Sequence, residues 1–210
     1  MKVINFFAAP GTGKTSTGQI LSGLLSIANY KVEYIPEFAK FATLAKNEAA
    51  LSDQIYMFGK QENRLNVLNK AALDYVIMDG PLPLALLFHP DTHFRNYEPL
   101  VMEVFNSYDN INFYLRKDPA HAYQPHGRNE SFEEAQDLDR RLREILAKHN
   151  VPAQEFLVEQ HLAFKLFERI TGKPSPLSTS PSPALQAIDS SRPCGEAGAC
   201  CSGGGGCSRS

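Results

Sequence analysis

A short glycine-containing segment near the start of the chain joins an apolar run to a helical pattern. Residues 8–15 read Ala-Ala-Pro-Gly-Thr-Gly-Lys-Thr and follow Val3-Ile4-Asn5-Phe6-Phe7. Gly11 and Gly13 allow a loop whose backbone N–H groups converge on an anion, and the dipole of the following helix favours negative charge there. This pattern is typical of a phosphate-binding P-loop, G-x-x-x-x-G-K-[ST], with Ala8 at its first glycine. A simple glycine-rich turn, the alternative, leaves the Gly-Lys-Thr sequence unexplained.

Each side chain at the end of this loop has a predicted partner on a bound nucleotide. Lys14 supplies a positive charge to the β- and γ-phosphates, and Thr15 places its hydroxyl on Mg²⁺. We therefore predict ATP and Mg²⁺ as cofactors. The predicted nucleotide-binding residues are Ala9, Pro10, Gly11, Thr12, Gly13, Lys14, Thr15 and Ser16.

Strand and helix patterns alternate from residue 1 to residue 171, which indicates βαβ units and a parallel sheet. The predicted strands are residues 2–7, 32–36, 75–78, 111–115 and 155–158. The predicted helices are residues 13–28, 37–45, 51–72, 95–107, 131–148 and 160–171. With right-handed crossovers the chain forms an α/β fold, a three-layer α/β/α sandwich of the P-loop nucleoside triphosphate hydrolase type. Ligands of such sheets bind at the carboxyl ends of the strands.

The composition changes after residue 171. Residues 172–210 are rich in Pro, Ser and Gly and contain all four cysteines of the chain, Cys194, Cys200, Cys201 and Cys207. Too little apolar surface is available there to offset the entropy of ordering, so we predict a disordered tail after a P-loop domain spanning 1–171. The cysteine spacing matches no common zinc pattern.

Charge, apolar runs and cysteine usage together point to a cytoplasmic protein. The formal net charge of −2 gives no overall electrostatic case for nucleic-acid binding. No apolar run has the length of a membrane span, and Met1-Lys2-Val3-Ile4 begins a strand, not a signal peptide. The absence of cysteine before residue 194 fits a reducing compartment.

A second motif, Tyr75-Val76-Ile77-Met78-Asp79-Gly80-Pro81, ends a buried strand in an acid. Asp79 occupies the Walker B position, from which a carboxylate holds Mg²⁺ beside the P-loop; a loop-capping carboxylate is the alternative. Motor ATPases usually carry a second acid next, which orients the attacking water. Gly80 stands there instead, and this favours transfer to an acceptor hydroxyl over hydrolysis.

The acceptor side is predicted after the second strand. Glu37 either accepts the proton of a substrate hydroxyl or caps the first turn of the next helix. Gln54, Gln61 and Arg64 follow at spacings of seven and three, so they share a helix face that either reads a base or is merely solvated.

A loop rich in cations follows the fourth strand, with Arg116, Lys117, His121, His126 and Arg128. Such a loop either closes as a kinase lid, with Arg116 and Arg128 neutralising the transferring phosphoryl group, or is an exposed polar loop. The predicted catalytic residues are Lys14, Glu37, Asp79, Arg116 and Arg128, and the predicted metal-binding residues are Thr15 and Asp79.

The ordered set of motifs resembles a known family. Residues 8–15, Glu37-Phe38-Ala39-Lys40, Asp53-Gln54, Asp79-Gly80-Pro81 and Gly127-Arg128-Asn129 are similar to small P-loop kinases and predicted ATPases of tailed phages. These are related to the nicotinamide-riboside kinase domain and, more distantly, to thymidylate kinases, and some are 5-hydroxymethyluracil DNA kinases. Members usually carry Gly at position 8 and Ser at position 80.

The resemblance implies a kinase that transfers the γ-phosphate of ATP to a hydroxyl of a nucleoside-type acceptor. The first choice of acceptor is 5-hydroxymethyluracil within phage DNA, a step towards hypermodified thymidine. The alternatives are a free nucleoside or nucleotide kinase and a non-kinase P-loop ATPase. A GTPase switch lacks its Asn-Lys-x-Asp motif, and the short chain gives little support to an AAA-type assembly motor. No membrane partner is expected, and the oligomeric state is open.

Overall fold

Five β-rich runs pair into one parallel sheet in the computed structural model, which describes residues 1–88, 94–117 and 132–177. The strands are β1 Lys2–Phe7, β2 Val32–Ile35, β3 Tyr75–Met78, β4 Asp109–Arg116 and β5 Gln154–Leu157. Their order in the sheet is β2-β3-β1-β4-β5, so β1 is central and the P-loop follows directly from it. The predicted parallel sheet is confirmed.

Helices cover both faces of this sheet because the side chains of β1 alternate between two apolar cores. Ile4 and Phe6 belong to the core under the first and last helices, whereas Val3 and Phe7 belong to the core on the opposite face. The three-layer α/β/α sandwich is thus confirmed. The helices are α1 Lys14–Ile27, α2 Phe38–Leu44, α3 Glu48–Ser52, α4 Gln54–Asn69, α5 Tyr97–Asn106, α6 Phe132–Lys148 and α7 Leu162–Thr171, with a 3₁₀ helix at Leu82–Leu86.

The single helix predicted over residues 51–72 is wrong, because Asp53 interrupts it. Asp53 adopts an extended backbone conformation and its Oδ1 accepts a hydrogen bond from the Tyr56 N–H at 2.9 Å. An aspartate in this conformation caps a new helix more favourably than it continues an old one. The result is two helices, α3 and α4, separated by Asp53.

A buried amide lies at the centre of β1. Asn5 is 1% exposed, and its Nδ2 donates to Asn110 Oδ1 at 2.9 Å and to Asn112 Oδ1 at 3.0 Å on β4. Asn110 in turn donates to the Phe105 carbonyl, and Asn112 donates to the Pro152 carbonyl. Buried amides are tolerated in a core when they are bonded in this way.

The chain keeps contact with the domain beyond α7. Ser175 is 1% exposed and its N–H donates to Glu168 Oε1 at 3.4 Å, and the Lys173 ammonium lies 5.2 Å from the centre of the Tyr30 ring. These contacts extend the domain a few residues past position 171. Residues 178–210 lie outside the described residues, and their disorder stays a prediction.

Two glycines in α1 provide a matched test of packing. A Cβ at Gly18 would lie 3.0 Å from Tyr34 Cε2 and 3.3 Å from Ile77 Cγ2, whereas a Cβ at Gly23 would meet nothing within 4 Å. We expect Gly23→Ala to stabilise the fold by about 0.5–1 kcal/mol through helix propensity. Gly18→Ala should destabilise it by about 1 kcal/mol, because overpacking exceeds that gain. Urea unfolding of both variants measures the difference, and equal stabilisation would contradict the close packing at Gly18.

Candidate active site

The P-loop connects β1 to α1 in a conformation that requires its glycines. Gly11 and Gly13 have φ angles of +85° and +108°, in the left-handed region that side chains disfavour. A Cβ at Gly13 would also lie 3.2 Å from Val158 Cγ1. The Lys14 ammonium donates to the Ala8 carbonyl at 3.0 Å, so its side chain is folded back over the P-loop. The predicted strand, loop and helix are therefore present in the predicted order.

Thr15 and Asp79 come together at the carboxyl ends of two adjacent strands. Thr15 Oγ1 donates to Asp79 Oδ2 at 2.6 Å, and Asp79 is 1% exposed. Asp79 Oδ1 is buried, and among the described residues it has no hydrogen-bond partner. A buried carboxylate oxygen without a partner is costly.

This pair suits a hard cation that arrives with a nucleotide. The Thr15 hydroxyl donates its only proton to Asp79, so the lone pairs of its oxygen are available to a cation. Asp79 Oδ1 offers a second oxygen ligand. No cluster of three or more His, Cys, Asp or Glu side chains with metal-binding geometry occurs in the described ranges. Mg²⁺ in phosphate sites takes one or two protein ligands and completes its shell with phosphate and water, so the residues present fit that ion.

An open cleft lies beside Asp79, on the α4 side of the sheet. It encloses about 430 Å³, part of it open to solvent. Gly80 forms its floor, where a Cβ would lie 3.1 Å from Glu37 Cγ and 3.4 Å from Gln61 Nε2. A serine here would require Glu37 to shift by a few tenths of an ångström. Apolar and amide side chains from α2, α4 and the 3₁₀ segment with the residues just after it form the walls, among them Phe38, Gln54, Phe58, Gln61, Leu84 and Phe88.

Glu37 lies where the sequence predicts it, directly after β2 and on the wall of this cleft. It occupies the N-cap position of α2, yet its side chain makes no capping hydrogen bond. Glu37 therefore lines the cleft without a side-chain hydrogen bond that caps α2, and its role as a proton acceptor stays a prediction.

The helix face of Gln54 and Gln61 is buried, so the solvated interpretation is wrong for both. They are 8% and 7% exposed and both line the cleft. Gln61 Oε1 accepts from the Phe38 N–H at 3.3 Å, while its Nε2 is buried without a hydrogen-bond partner among the described residues. Arg64 lies behind this wall, donating to the Pro36 carbonyl at 3.1 Å and stacking on the Phe38 ring.

The predicted lid lies mostly outside the described residues, Arg128 included. Arg116 ends β4 at the edge that carries the P-loop, since its carbonyl accepts from the Val158 N–H and Val158 contacts Gly13. Its guanidinium is exposed and lies 3.6 Å from Glu155, which also pairs with Arg143. In this structure Arg116 is thus paired with an acidic side chain of β5, and its role in catalysis stays a prediction.

The nearby arginines of α6 are already engaged. Arg140 pairs with Asp137 and Glu144 on its own helix, and Arg143 pairs with Asp139 at 3.1 Å. Arg141 donates to the Leu87 carbonyl at 2.6 Å and so fixes the end of the 3₁₀ segment in the cleft wall.

Comparison with known proteins agrees with this geometry. Residues 3–158, about three quarters of the chain, match the model of a family described as an AAA domain. The chain belongs to this AAA domain family. Among curated proteins, no sequence matches significantly.

Solved structures resemble this AAA domain in fold. The NadR protein in complex with NR matches with a TM-score of 0.66 at 18% identity, over 85% of this chain and 54% of the NadR chain. Deoxyadenosine kinase from M. mycoides with bound dCTP matches with a TM-score of 0.50 at 16% identity, over 82% of this chain and 99% of the kinase. The domain thus has a kinase-like P-loop fold. Helices long and apolar enough to cross a membrane do not occur in its described part.

Sequence reasoning missed two parts of the site. The 3₁₀ segment Leu82–Leu86 forms a wall of the cleft. Pro81 could have indicated it, because proline favours turns and the first turn of a helix. Tyr34 was also missed, although its hydroxyl is buried near Asp79 and Thr15. A tyrosine in a half-apolar strand gives no signal that distinguishes it from an ordinary core residue.

Proposed function

We propose that this protein is a Mg²⁺- and ATP-dependent kinase that transfers the γ-phosphate to a hydroxyl of a nucleoside-type acceptor. The observation that carries the proposal is the cleft lined by Glu37, Gln61 and Gly80, which adjoins Asp79 and hence Thr15 of the P-loop. A site for an acceptor next to a site for phosphates is what group transfer requires.

In the donor half, the backbone of residues 9–16 binds the ATP phosphates, and Lys14 neutralises charge on the β- and γ-phosphates. Thr15 and Asp79 would hold Mg²⁺, which supplies further charge neutralisation when bound. Arg116 and Arg128 are proposed to add positive charge once the substrates are in place. Burial of Asp79 at 1% exposure supports the assignment, because a buried carboxylate is stabilised by a cation.

In the acceptor half, Glu37 is proposed as the proton acceptor. The acceptor oxygen forms a bond to the γ-phosphorus while the bond from that phosphorus to the bridging oxygen of ADP breaks, and the hydroxyl proton passes to the Glu37 carboxylate. The cleft-facing, non-capping geometry of Glu37 supports this role. Gly80 offers no carboxylate beside Asp79 to orient water, which favours transfer over hydrolysis.

Gln61 is proposed to bind the acceptor through its buried amide nitrogen, which needs a hydrogen-bond acceptor. We expect Gln61→Leu to raise the acceptor KM roughly tenfold with a smaller change in kcat, since about one hydrogen bond is lost. Steady-state kinetics at saturating ATP measures this. Gln19→Leu, at an exposed position of α1, is the matched control, and an unchanged KM in Gln61→Leu would contradict the assignment.

The finer proposal is that the acceptor is 5-hydroxymethyluracil within phage DNA. Besides the sequence resemblance, the surface behind Phe38 supports it. Arg64 stacks on Phe38 and Phe41, and Lys60 lies 5.3 Å from the centre of the Tyr56 ring. Aromatic rings and cations together suit bases and phosphates of a nucleic acid strand. A free nucleoside bound in the same cleft, which is lined by apolar and amide side chains, is the second candidate.

Transfer of label from γ-labelled ATP tests these proposals directly. Acceptors offered in parallel are DNA containing 5-hydroxymethyluracil, unmodified DNA of the same sequence, the free nucleoside and the free nucleotide. We expect label in the modified DNA. Label in the free nucleoside or nucleotide alone would contradict the DNA acceptor but keep the kinase, and acceptor-independent release of phosphate would contradict the kinase.

A further inference from the structure

The ring of Tyr34 is packed between the sheet and α1. The helix approaches so closely that a Cβ at Gly18 would lie only 3.0 Å from Tyr34 Cε2. Gly18 therefore makes room for this ring, and the core on the α1 face includes Tyr34 together with Ile77. An aromatic side chain confined in this way has little freedom to move its hydroxyl.

The geometry of the parallel strands directs that hydroxyl towards Asp79. Tyr34 pairs with Ile77 in register, and Asp79 follows Ile77 by two residues, so both side chains leave the sheet on the α1 face. The Asp79 N–H donates to the Ile35 carbonyl at 3.1 Å, which continues the strand pairing to this position. Diagonal neighbours on one face of a sheet are within reach of an aromatic side chain.

Two buried polar atoms remain unsatisfied at this place. Within the described residues, neither the Tyr34 hydroxyl nor Asp79 Oδ1 has a hydrogen-bond partner of regular geometry. They nevertheless lie near each other: burial is the main cause that raises the pKa of Tyr34, and the neighbouring Asp79 carboxylate raises it further.

We infer that Tyr34 is a positioning residue for the cation site, donating its phenol proton to Asp79. This fixes the carboxylate rotamer in which Oδ2 accepts the Thr15 proton, so the lone pairs of the Thr15 hydroxyl face the cation. Partners of metal-binding carboxylates orient them in this way. The inference rests on the proposed function only in that the cation is the Mg²⁺ of a bound nucleotide.

The test is binding of a fluorescent ATP analogue, in Mg²⁺ and in EDTA, to the full chain and its variants. We expect Tyr34→Phe to reduce the gain in affinity given by Mg²⁺ about tenfold, with the affinity in EDTA unchanged. Tyr75→Phe is the matched control, because Tyr75 packs on the same core but begins β3 at the opposite edge of the sheet.

A substitution in α1 tests the same contact between Tyr34 and Asp79. Gly18→Ala leaves the phenol intact but pushes its ring, so it should reduce the Mg²⁺-dependent gain as well, and Gly23→Ala should not. Combining Gly18→Ala with Tyr34→Phe should add little to the effect of Tyr34→Phe alone, because both changes remove one interaction.

The outcomes separate the inference from the proposed function. If the unaltered protein shows no gain in affinity with Mg²⁺, the proposed function fails and the inference fails with it. If the unaltered protein shows the gain and Tyr34→Phe keeps it in full, only the inference is overturned. Equal weakening of binding in Mg²⁺ and in EDTA would indicate general disruption of the P-loop and would also overturn it.

Discussion

Replacing Lys14 by alanine is expected to lower the rate of phosphoryl transfer about a thousandfold or more, because the charge that develops on the transferring group loses its nearest fixed counter-charge. Lys14 lies in the P-loop, 9% exposed, with its ammonium held by the Ala8 carbonyl. A water molecule or a mobile cation cannot replace it without reorganisation, which is the source of the large effect. Transfer from γ-labelled ATP at saturating substrate measures the change.

Lys70→Ala is the matched control for this variant. Lys70 is an exposed lysine at the end of α4, so its removal takes away the same charge without touching the P-loop. Urea unfolding of Lys14→Ala should accompany the kinetics, to separate loss of chemistry from loss of fold. A folded Lys14→Ala protein with a near-normal rate would contradict the assignment of residues 8–15 as the phosphate site.

Glu37→Gln is expected to have the second largest effect, a fall in kcat of about 10²–10⁴-fold. The amide has nearly the same shape as the carboxylate but cannot take up the proton of the acceptor hydroxyl. Because the side chain makes no capping hydrogen bond, the substitution should leave α2 intact. The acceptor KM and the affinity for ATP should change little, since the change concerns a proton moved in the transition state.

Glu33→Gln controls for the loss of a carboxylate from a position close to Glu37 in sequence. Glu33 is exposed on β2 and lies four residues before Glu37, away from the cleft. If Glu37→Gln keeps its kcat within about threefold of the unaltered protein, Glu37 is not the proton acceptor, and the hydroxyl loses its proton elsewhere.

The parts of the fold that the sequence predicted well are those dictated by local patterns. β1 and β3 begin and end as predicted because apolar runs bounded by polar residues determine them. The P-loop was predictable because its backbone conformation needs glycine at positions 11 and 13, whatever packs around it.

The parts that the sequence did not predict depend on contacts between distant residues. Asp53 looks like one polar residue in a long helical pattern, and only its extended backbone and its hydrogen bond from the Tyr56 N–H identify it as a cap. Gln61 is polar and could equally lie in solvent; its burial depends on α2 and on Gly80, which are distant in sequence. The strand β4 begins at Asp109, earlier than the apolar run suggests, because the half-buried Asn110 and Asn112 accept hydrogen bonds from Asn5.

The hydrogen-bonded amides of Asn5, Asn110 and Asn112, here called the amide ladder, have a consequence for folding. Parallel strands must find their register across long stretches of chain, and a shift by one residue reverses which side chains face each core. Here such a shift would also leave the Asn5 amide among apolar side chains without its partners on β4, a loss of one or more hydrogen bonds of about 1–3 kcal/mol each. The amide ladder thus raises the free energy of sheets in which β1 and β4 pair in a shifted register. This preference for the native register at the strand before the P-loop does not require a bound nucleotide.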